Sequence, residues 1–253
     1  MSAPKRHRPS AWRGISLIVR RELGQYLNTW SGYVIAAAML LTSGLFYNVF
    51  AVGSTPRYSQ DVLSDYFYFQ SGTTIVAGIL FAMRLIAEER QAGTLPLLAT
   101  SSLSDGQVIV AKFLSALLSL CLFLSLTLYM PALIFWNGKV SLGHIFAGYL
   151  GLFLIGSASV SIGLFGSALV KSQLVAAVVA GGIAVVLLLL WLTARVVDGP
   201  LGEVLAYLSL HDKHFRPFMD GAISSGNVIF YLSLTAFFLV LARNVLEARR
   251  WRP

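Results

Sequence analysis

Gln173–Ala194 reads QLVAAVVAGGIAVVLLLLWLTA and contains no Asp, Glu, Lys or Arg. A helix rises about 1.5 Å per residue, so about 20 apolar residues match the ~30 Å hydrocarbon core of a bilayer. A centred charge costs about 2.5–3.5 kcal/mol on insertion scales, which is why such runs stay uncharged. Lys171 bounds this run on one side and Arg195 on the other, as expected where a helix meets water.

Five further stretches are similarly apolar, with no Asp, Glu, Lys or Arg at their centres: Ser31–Val52, Phe69–Ala87, Phe113–Phe135, Ile145–Leu169 and Asn227–Leu246. The whole chain is 57% hydrophobic and 12% charged, with mean hydropathy +0.73. A soluble domain carries about 25% charge and uses it to cover its surface. These values predict an all-α, polytopic membrane protein with six transmembrane helices. The single cysteine, Cys121, lies within an apolar run and excludes a disulfide framework within one copy.

The formal charge of +8 could point to nucleic acid, but the basic residues cluster at the chain ends and between apolar runs. That placement orients a membrane protein, and no nucleic-acid partner is expected. With the N-terminus in the cytoplasm, the outer segments carry Arg57, Lys139, Arg195, Lys213 and Arg216, leaving fourteen of the 19 basic residues inside. The positive-inside rule therefore puts both termini in the cytoplasm of a bacterial inner membrane protein. The first apolar run begins late, near Ser31, and exceeds the roughly 7–15 residues of a signal-peptide core, so an uncleaved first helix is expected.

Three pieces of the chain do not span. Residues 1–30 form a cytoplasmic and interfacial N-terminal region. In it Trp12, Ile15, Val19, Leu23, Tyr26, Leu27 and Trp30 recur at helical spacing, with Arg13, Arg20, Arg21 and Glu22 mostly off that stripe. This is the pattern of an amphipathic helix lying in the interface. Residues 87–111 form a polar cytoplasmic loop. There Glu88, Glu89 and Arg90 extend the second helix into water, Gly93 and Pro96 interrupt it, and Ser104 or Asp105 caps the next helix. Residues 196–226 form an external segment in which a short helix around Leu201–Leu208 is followed by HDKHFRPFMDGAISSG, with one or two helices dipping into the outer interface. Small residues line helix four at Gly156, Ser159, Gly163 and Ser167, and helix five at Ala177, Ala180, Gly181 and Ala184. These stripes suit close helix packing, within the chain or against a second copy.

Chemistry is sparse. Gly166-x4-Lys171-Ser172 superficially resembles a phosphate-binding loop, but Val170 replaces the second glycine and the stretch ends a membrane helix. His211 and His214 flank Asp212, and two histidines do not close a metal site. Asp61 and Asp65 read as solvated residues of the first outer loop. The spans hold no mid-depth ionisable group of the kind that ion-coupled transport uses, so energy for any transport must come from elsewhere. No catalytic residue and no metal ligand is expected.

The run Met83-Arg84-Leu85-Ile86-Ala87-Glu88-Glu89-Arg90-x-x-Gly93-Thr94-Leu95-x-Leu97-Leu98-x-Thr100 is similar to one found in the ABC type-2 permease family. Gly148-Tyr149-Leu150-Gly151-Leu152, Gly163-Leu164-Phe165, Tyr207-Leu208-Ser209-Leu210 and His214-Phe215-x-x-Phe218-x-x-Gly221 come after it in the family's order. The chain most resembles the branch with GldF-like and NosY-like permeases, departing from its pattern at Pro96, Ser102 and Ala111.

The resemblance implies a single permease domain over residues 1–253, with no catalytic site or cofactor of its own. It implies two copies of an ABC ATP-binding subunit that hold ATP and Mg, and a second permease copy, identical or related. Residues 87–111 would be the coupling loop, with Glu88, Glu89, Arg90, Gly93 and Thr94 as the ATPase contacts. Helices two and five would line the path. The external helices would meet a periplasmic accessory protein through Tyr207, His214, Phe215 and Phe218. Gly163, Ser167, Ala177 and Gly181 are expected on helix-packing or dimer faces. The implied function is ATP-driven export. The alternative is mechanotransmission, in which the complex drives a periplasmic partner and moves no substrate.

Overall fold

Six helices of the computed structural model are long and apolar enough to cross a bilayer: Gly32–Val52, Ser59–Gln91, Asp105–Trp136, Leu142–Leu169, Gln173–Thr193 and Ser225–Ala248. The structure describes residues 11–53, 58–94, 104–138, 140–194, 196–197 and 199–250, and these residues form helices without strands. In chain order the helices are α1 (Ala11–Asn28), α2 (Trp30–Phe46), α3 (Ser59–Ala82), α4 (Ala87–Gln91), α5 (Asp105–Thr127), α6 (Tyr129–Asn137), α7 (Leu142–Leu169), α8 (Gln173–Ala194), α9 (Pro200–Leu208), α10 (Arg216–Met219) and α11 (Ser225–Arg250). A π-helical turn, Tyr47–Val52, prolongs α2. The second crossing is α3 with α4, and the third is α5 with α6.

Helix α7 is the hub, packed against α3, α11, α8 and α5. Its small residues make that possible. A Cβ on Gly163 would lie 2.7 Å from Ala82 Cβ, and one on Gly156 would lie 2.5 Å from Leu120 Cδ2. One on Gly148 would enter the Phe67 ring. Backbones therefore approach as closely as small-residue packing allows. The second, third and fourth crossings are mostly buried, whereas the first, fifth and sixth keep most of their apolar surface exposed, as helices facing lipid do.

Gly106, at the start of α5, lies beside Arg243, near the end of α11. Helix α1 packs on α5. We call this end of the bundle basal, and the end carrying α9 and α10 distal.

Two crossings begin earlier than their hydropathy suggests. The second starts at Ser59, not Phe69, so Asp61 and Asp65 sit on the first turns of a helix and not in a loop. The third starts at Asp105, not Phe113. Ser104 caps it: its Oγ accepts from Gln107 N at 3.3 Å, while Gln107 Oε1 accepts from Ser104 N at 3.0 Å. This reciprocal pair satisfies two amide donors that a helix start would otherwise leave orphaned.

The third crossing breaks at Leu128, and Pro131 explains it. Proline offers no N–H to the carbonyl of Thr127, four residues back. In the apolar interior another donor is needed, and the Tyr66 hydroxyl supplies it at 3.4 Å. Tyr149 joins the same cluster, 3.0 Å from Tyr66 Oη and 3.1 Å from Thr127 Oγ1.

Candidate functional site

The basal end of the second crossing is a broken helix held open by a neighbour. Helix α3 ends at Ala82, four turn residues intervene, and α4 starts at Ala87. The break frees the amides of Ile86 and Ala87. Ser167 of α7 accepts both, at 3.0 and 2.9 Å, and donates its own hydrogen to Met83 O at 2.8 Å. One buried hydroxyl thus serves three backbone groups across the break. Gly163, one turn earlier on α7, lets Ala82 come close enough for this. Both residues pack within the chain, on the second crossing. Arg90 of α4 reaches back and donates to Val170 O at 3.1 Å, placing a cation at the C-terminal end of α7 where the helix dipole favours it.

Beneath the break lies an internal ion cluster. Lys112 of α5 is 1% exposed. Its ammonium donates to Leu85 O at 2.6 Å and sits 3.1 Å from Glu22 Oε1 and 2.9 Å from Glu89 Oε1. Arg21 approaches both carboxylates from the rim, at 3.1 and 2.9 Å. Burial opposes its charge, but the hydrogen bonds and negative charges of Glu22 and Glu89 outweigh that and push its pKa up. The cluster ties α1 and α4 to α5. Tyr26 adds a second tie: its hydroxyl donates to Phe81 O, its ring meets Phe81 edge-on at 5.7 Å, and Arg84 stacks 3.8 Å above it. Burial pushes the Tyr26 phenol up to about 12.

These contacts correct two expectations. Glu22 does not lie on the solvent side of α1, and Glu89 does not extend into water. Both are buried, because Lys112 needs counter-charges that long-range folding brings to it. Their neighbour Glu88 is exposed, as are Gly93 and Thr94. Gly93 ends α4 at φ 68°, with its amide donating to Arg90 O at 3.3 Å and that of Thr94 to Glu89 O at 2.9 Å. This Schellman closure requires the left-handed residue that glycine provides. Residues 95–103 of the expected coupling loop, with Pro96 and Ser102, lie outside the described residues, and residues 105–111 of it belong to helix α5 instead. A cleft of about 410 Å³ separates α1 from α4, lined by Arg21, Glu22, Gln25, Arg84, Glu88 and Thr94 among others.

At the distal end the segment between α8 and α11 folds back among the helices. Leu210 N donates to Leu187 O of α8 at 3.1 Å, and the buried Tyr231 hydroxyl of α11 donates to Leu210 O at 2.7 Å. Of the four residues expected to face an external partner, only Tyr207 is open to contact, at 48% exposure. Phe215 and Phe218 are 0% exposed and His214 is 2%. Phe218 fills the notch left by Gly151, and His214 stacks on Phe230 at 3.7 Å. These three hold the segment down and do not present it outward.

The two histidines also have separate duties. His214 contacts Asn227 Oδ1 at 2.9 Å and Tyr207 O at 2.8 Å, whereas His211 Nε2 contacts Ser71 Oγ at 2.8 Å. On α8, Ala176 and Ala180 face α7, while nothing lies within 4 Å of where a Gly181 side chain would start. Ala177 is half-buried beside it.

Nothing in the sequence signals that Glu22 and Lys112 pair, because they lie far apart in the chain. Pro131 is a visible signal for the break in the third crossing. Compared with known families, residues 44–209 match the family model described as ABC-2 family transporter protein. A comparison with curated proteins finds no match.

Proposed function

The chain belongs to the ABC-2 family of transporter proteins, and from that premise we propose that it is the permease subunit of an ATP-driven exporter. In this reading the basal end is cytoplasmic and the protein resides in a bacterial inner membrane. Two copies of a separate ATP-binding subunit, which hold ATP and Mg, dock on the basal face. A second permease copy, of the same chain or a related one, completes the complex. The exposed faces of the first and fifth crossings, including Ala177 and Gly181, are where it would pack.

The observation that carries the reading is the basal junction. A helix end, Glu88 to Thr94, that is exposed except at Glu89 and Arg90 is fastened to α1, α5 and α7 by the Glu22–Lys112–Glu89 cluster, Ser167 and Arg90. A push on α4 is therefore passed to three other helices without an intervening flexible joint. ATP-driven closure of the soluble subunits would tilt the bundle through this junction and open a path along the second and fifth crossings.

Co-purification tests this. The tagged chain, expressed with its neighbouring genes and solubilised in mild detergent, should bring a stoichiometric soluble subunit bearing a P-loop, with ATPase activity in the complex. A stable complex without a nucleotide-binding partner would overturn the reading.

A further inference from the structure

Two cavities meet at the distal end of the bundle, on the face formed by the first, second and fifth crossings. The upper one, about 470 Å³, is lined by Phe50, Asp65 of α3, and Asp212 and Arg216 of the folded-back segment. The lower one, about 330 Å³, has an apolar floor of Phe46, Ile75, Leu188, Leu189 and Trp191. Tyr68, Phe69 and His211 line both. Each volume is in the range of small-molecule sites.

The mouth holds charges of both signs. Asp65 already has a partner within the protein. Asp212 and Arg216 balance in number, yet they form no ion pair with each other or, among the described residues, with any third side chain. Both reach the His211 ring: burial lowers its pKa to about 4, with Asp212 opposing that shift and Arg216 adding to it. The ring is therefore neutral at pH 7. Two opposite charges on one cavity, held too far apart to join, leave one point for an anion and another for a cation. The wall beside them is aromatic and well fixed. Phe50 stacks on Phe69 at 4.5 Å, and Tyr68 meets Phe69 edge-on at 5.3 Å and His211 at 5.2 Å. Ser71 gives its hydrogen to Tyr68 O at 2.7 Å, so its oxygen accepts from His211 Nε2–H.

We propose that this cleft binds a zwitterionic amphiphile of the phosphocholine kind: its anionic group meets Arg216, its ammonium meets Asp212 and the neighbouring ring faces, and its apolar tail runs down past Leu188 and Trp191. A guanidinium presents parallel N–H donors that match phosphate oxygens. A carboxylate beside aromatic rings suits a bulky ammonium, through charge and cation–π attraction. An amphiphile with a single charge satisfies one of the two residues and sets a like charge near the other. The site deepens the export reading by giving it a substrate class, and its role as a substrate site rests on that reading. Binding itself does not.

The test is equilibrium binding of radiolabelled decylphosphocholine to the full-length chain in nanodiscs of an uncharged galactolipid, without nucleotide and with empty nanodiscs subtracted. Saturable binding is expected, with decyltrimethylammonium and decyl sulfate each binding at least tenfold more weakly. Asp212→Asn and Arg216→Gln, made singly, should each weaken decylphosphocholine about tenfold, the scale of a lost charged hydrogen bond. The single-charge probes separate a lost charge from a lost fold: Asp212→Asn should weaken decyltrimethylammonium but not decyl sulfate, and Arg216→Gln the reverse. Uptake that never saturates, folded variants that bind as the wild type does, variants that weaken all three probes alike, or a single-charge probe that binds as tightly as decylphosphocholine would overturn the site. Saturable binding without ATP-driven efflux of the probe from proteoliposomes of the co-purified complex would keep the site and remove its role in export.

Discussion

Lys112 and Glu89 meet at 2.9 Å in a pocket that leaves the lysine 1% exposed, joining the third crossing to the end of the second. Removing one member of a buried ion pair strands the others, at a cost of about 3–5 kcal/mol. Lys112→Met is therefore expected to lower the thermal stability of the detergent-solubilised chain by that order. Adding Glu22→Gln and Glu89→Gln should restore a good part of it. An unchanged melting curve for the single variant would show that the cluster does not hold the junction.

Ser167→Ala removes one acceptor from two amides and one donor from Met83 O. Buried groups left unpaired cost about 1–3 kcal/mol each, so a loss of roughly 2–4 kcal/mol is expected. Hydrogen exchange localises the effect. The Ile86 and Ala87 amides should exchange faster in the variant, and protection equal to wild type there would refute the splint.

Glu88 and Glu89 are adjacent, yet their substitutions should separate. Glu88→Lys changes an exposed charge and should leave folding intact while weakening recovery of the ATP-binding subunit. Glu89→Lys puts a third cation beside Lys112 and Arg21 and should unfold the junction itself. Size-exclusion profiles and subunit stoichiometry read the two effects apart. Equal recovery of the partner with Glu88→Lys would remove that residue from the docking face.

His211 makes stability depend on acid. Its folded pKa, near 4, lies below the unfolded value of 6.5, because burial disfavours the charged ring. The unfolded chain therefore binds the proton first. The contribution is fully present above about pH 6.5 and declines as pH falls towards 4, by a few kcal/mol in total. Melting temperatures recorded from pH 7.5 to 4.5 should fall more steeply for wild type than for His211→Gln, and parallel curves would contradict this.

The number and order of crossings were legible because lipid selects long uncharged runs, and Gln173–Ala194 keeps its sequence-derived limits in the structure. The second crossing was cut short because Gln60, Asp61, Ser64 and Asp65 dilute its first turns. Their placement depends on neighbours: Ser64 donates to Met219 O at 3.1 Å, far along the chain. The coupling acids looked alike in sequence, and only the lysine arriving from α5 distinguishes Glu89 from Glu88. Likewise, the aromatic run His214–Phe218 reads as a surface motif until Gly151 and Phe230 are seen to receive it. Composition reports what lipid and water demand of a helix, and pairing between distant helices leaves no periodic trace.

The wide turn at Tyr47–Val52 closes its hydrogen bonds five residues back, as in Gly53 N to Asn48 O at 3.2 Å. Such a turn takes up one residue more than an α-turn covering the same rise. The first crossing therefore carries a surplus residue at its distal end, and a chain shortened by one there would still reach Gly53. What would change is aim. With about 100° between successive side chains, a single deletion would swing a different residue into the place where Phe50 now covers Phe69. The first helix can in this way alter its distal surface by insertion or deletion without moving its basal half, although the buried Ala51 would shift with the turn.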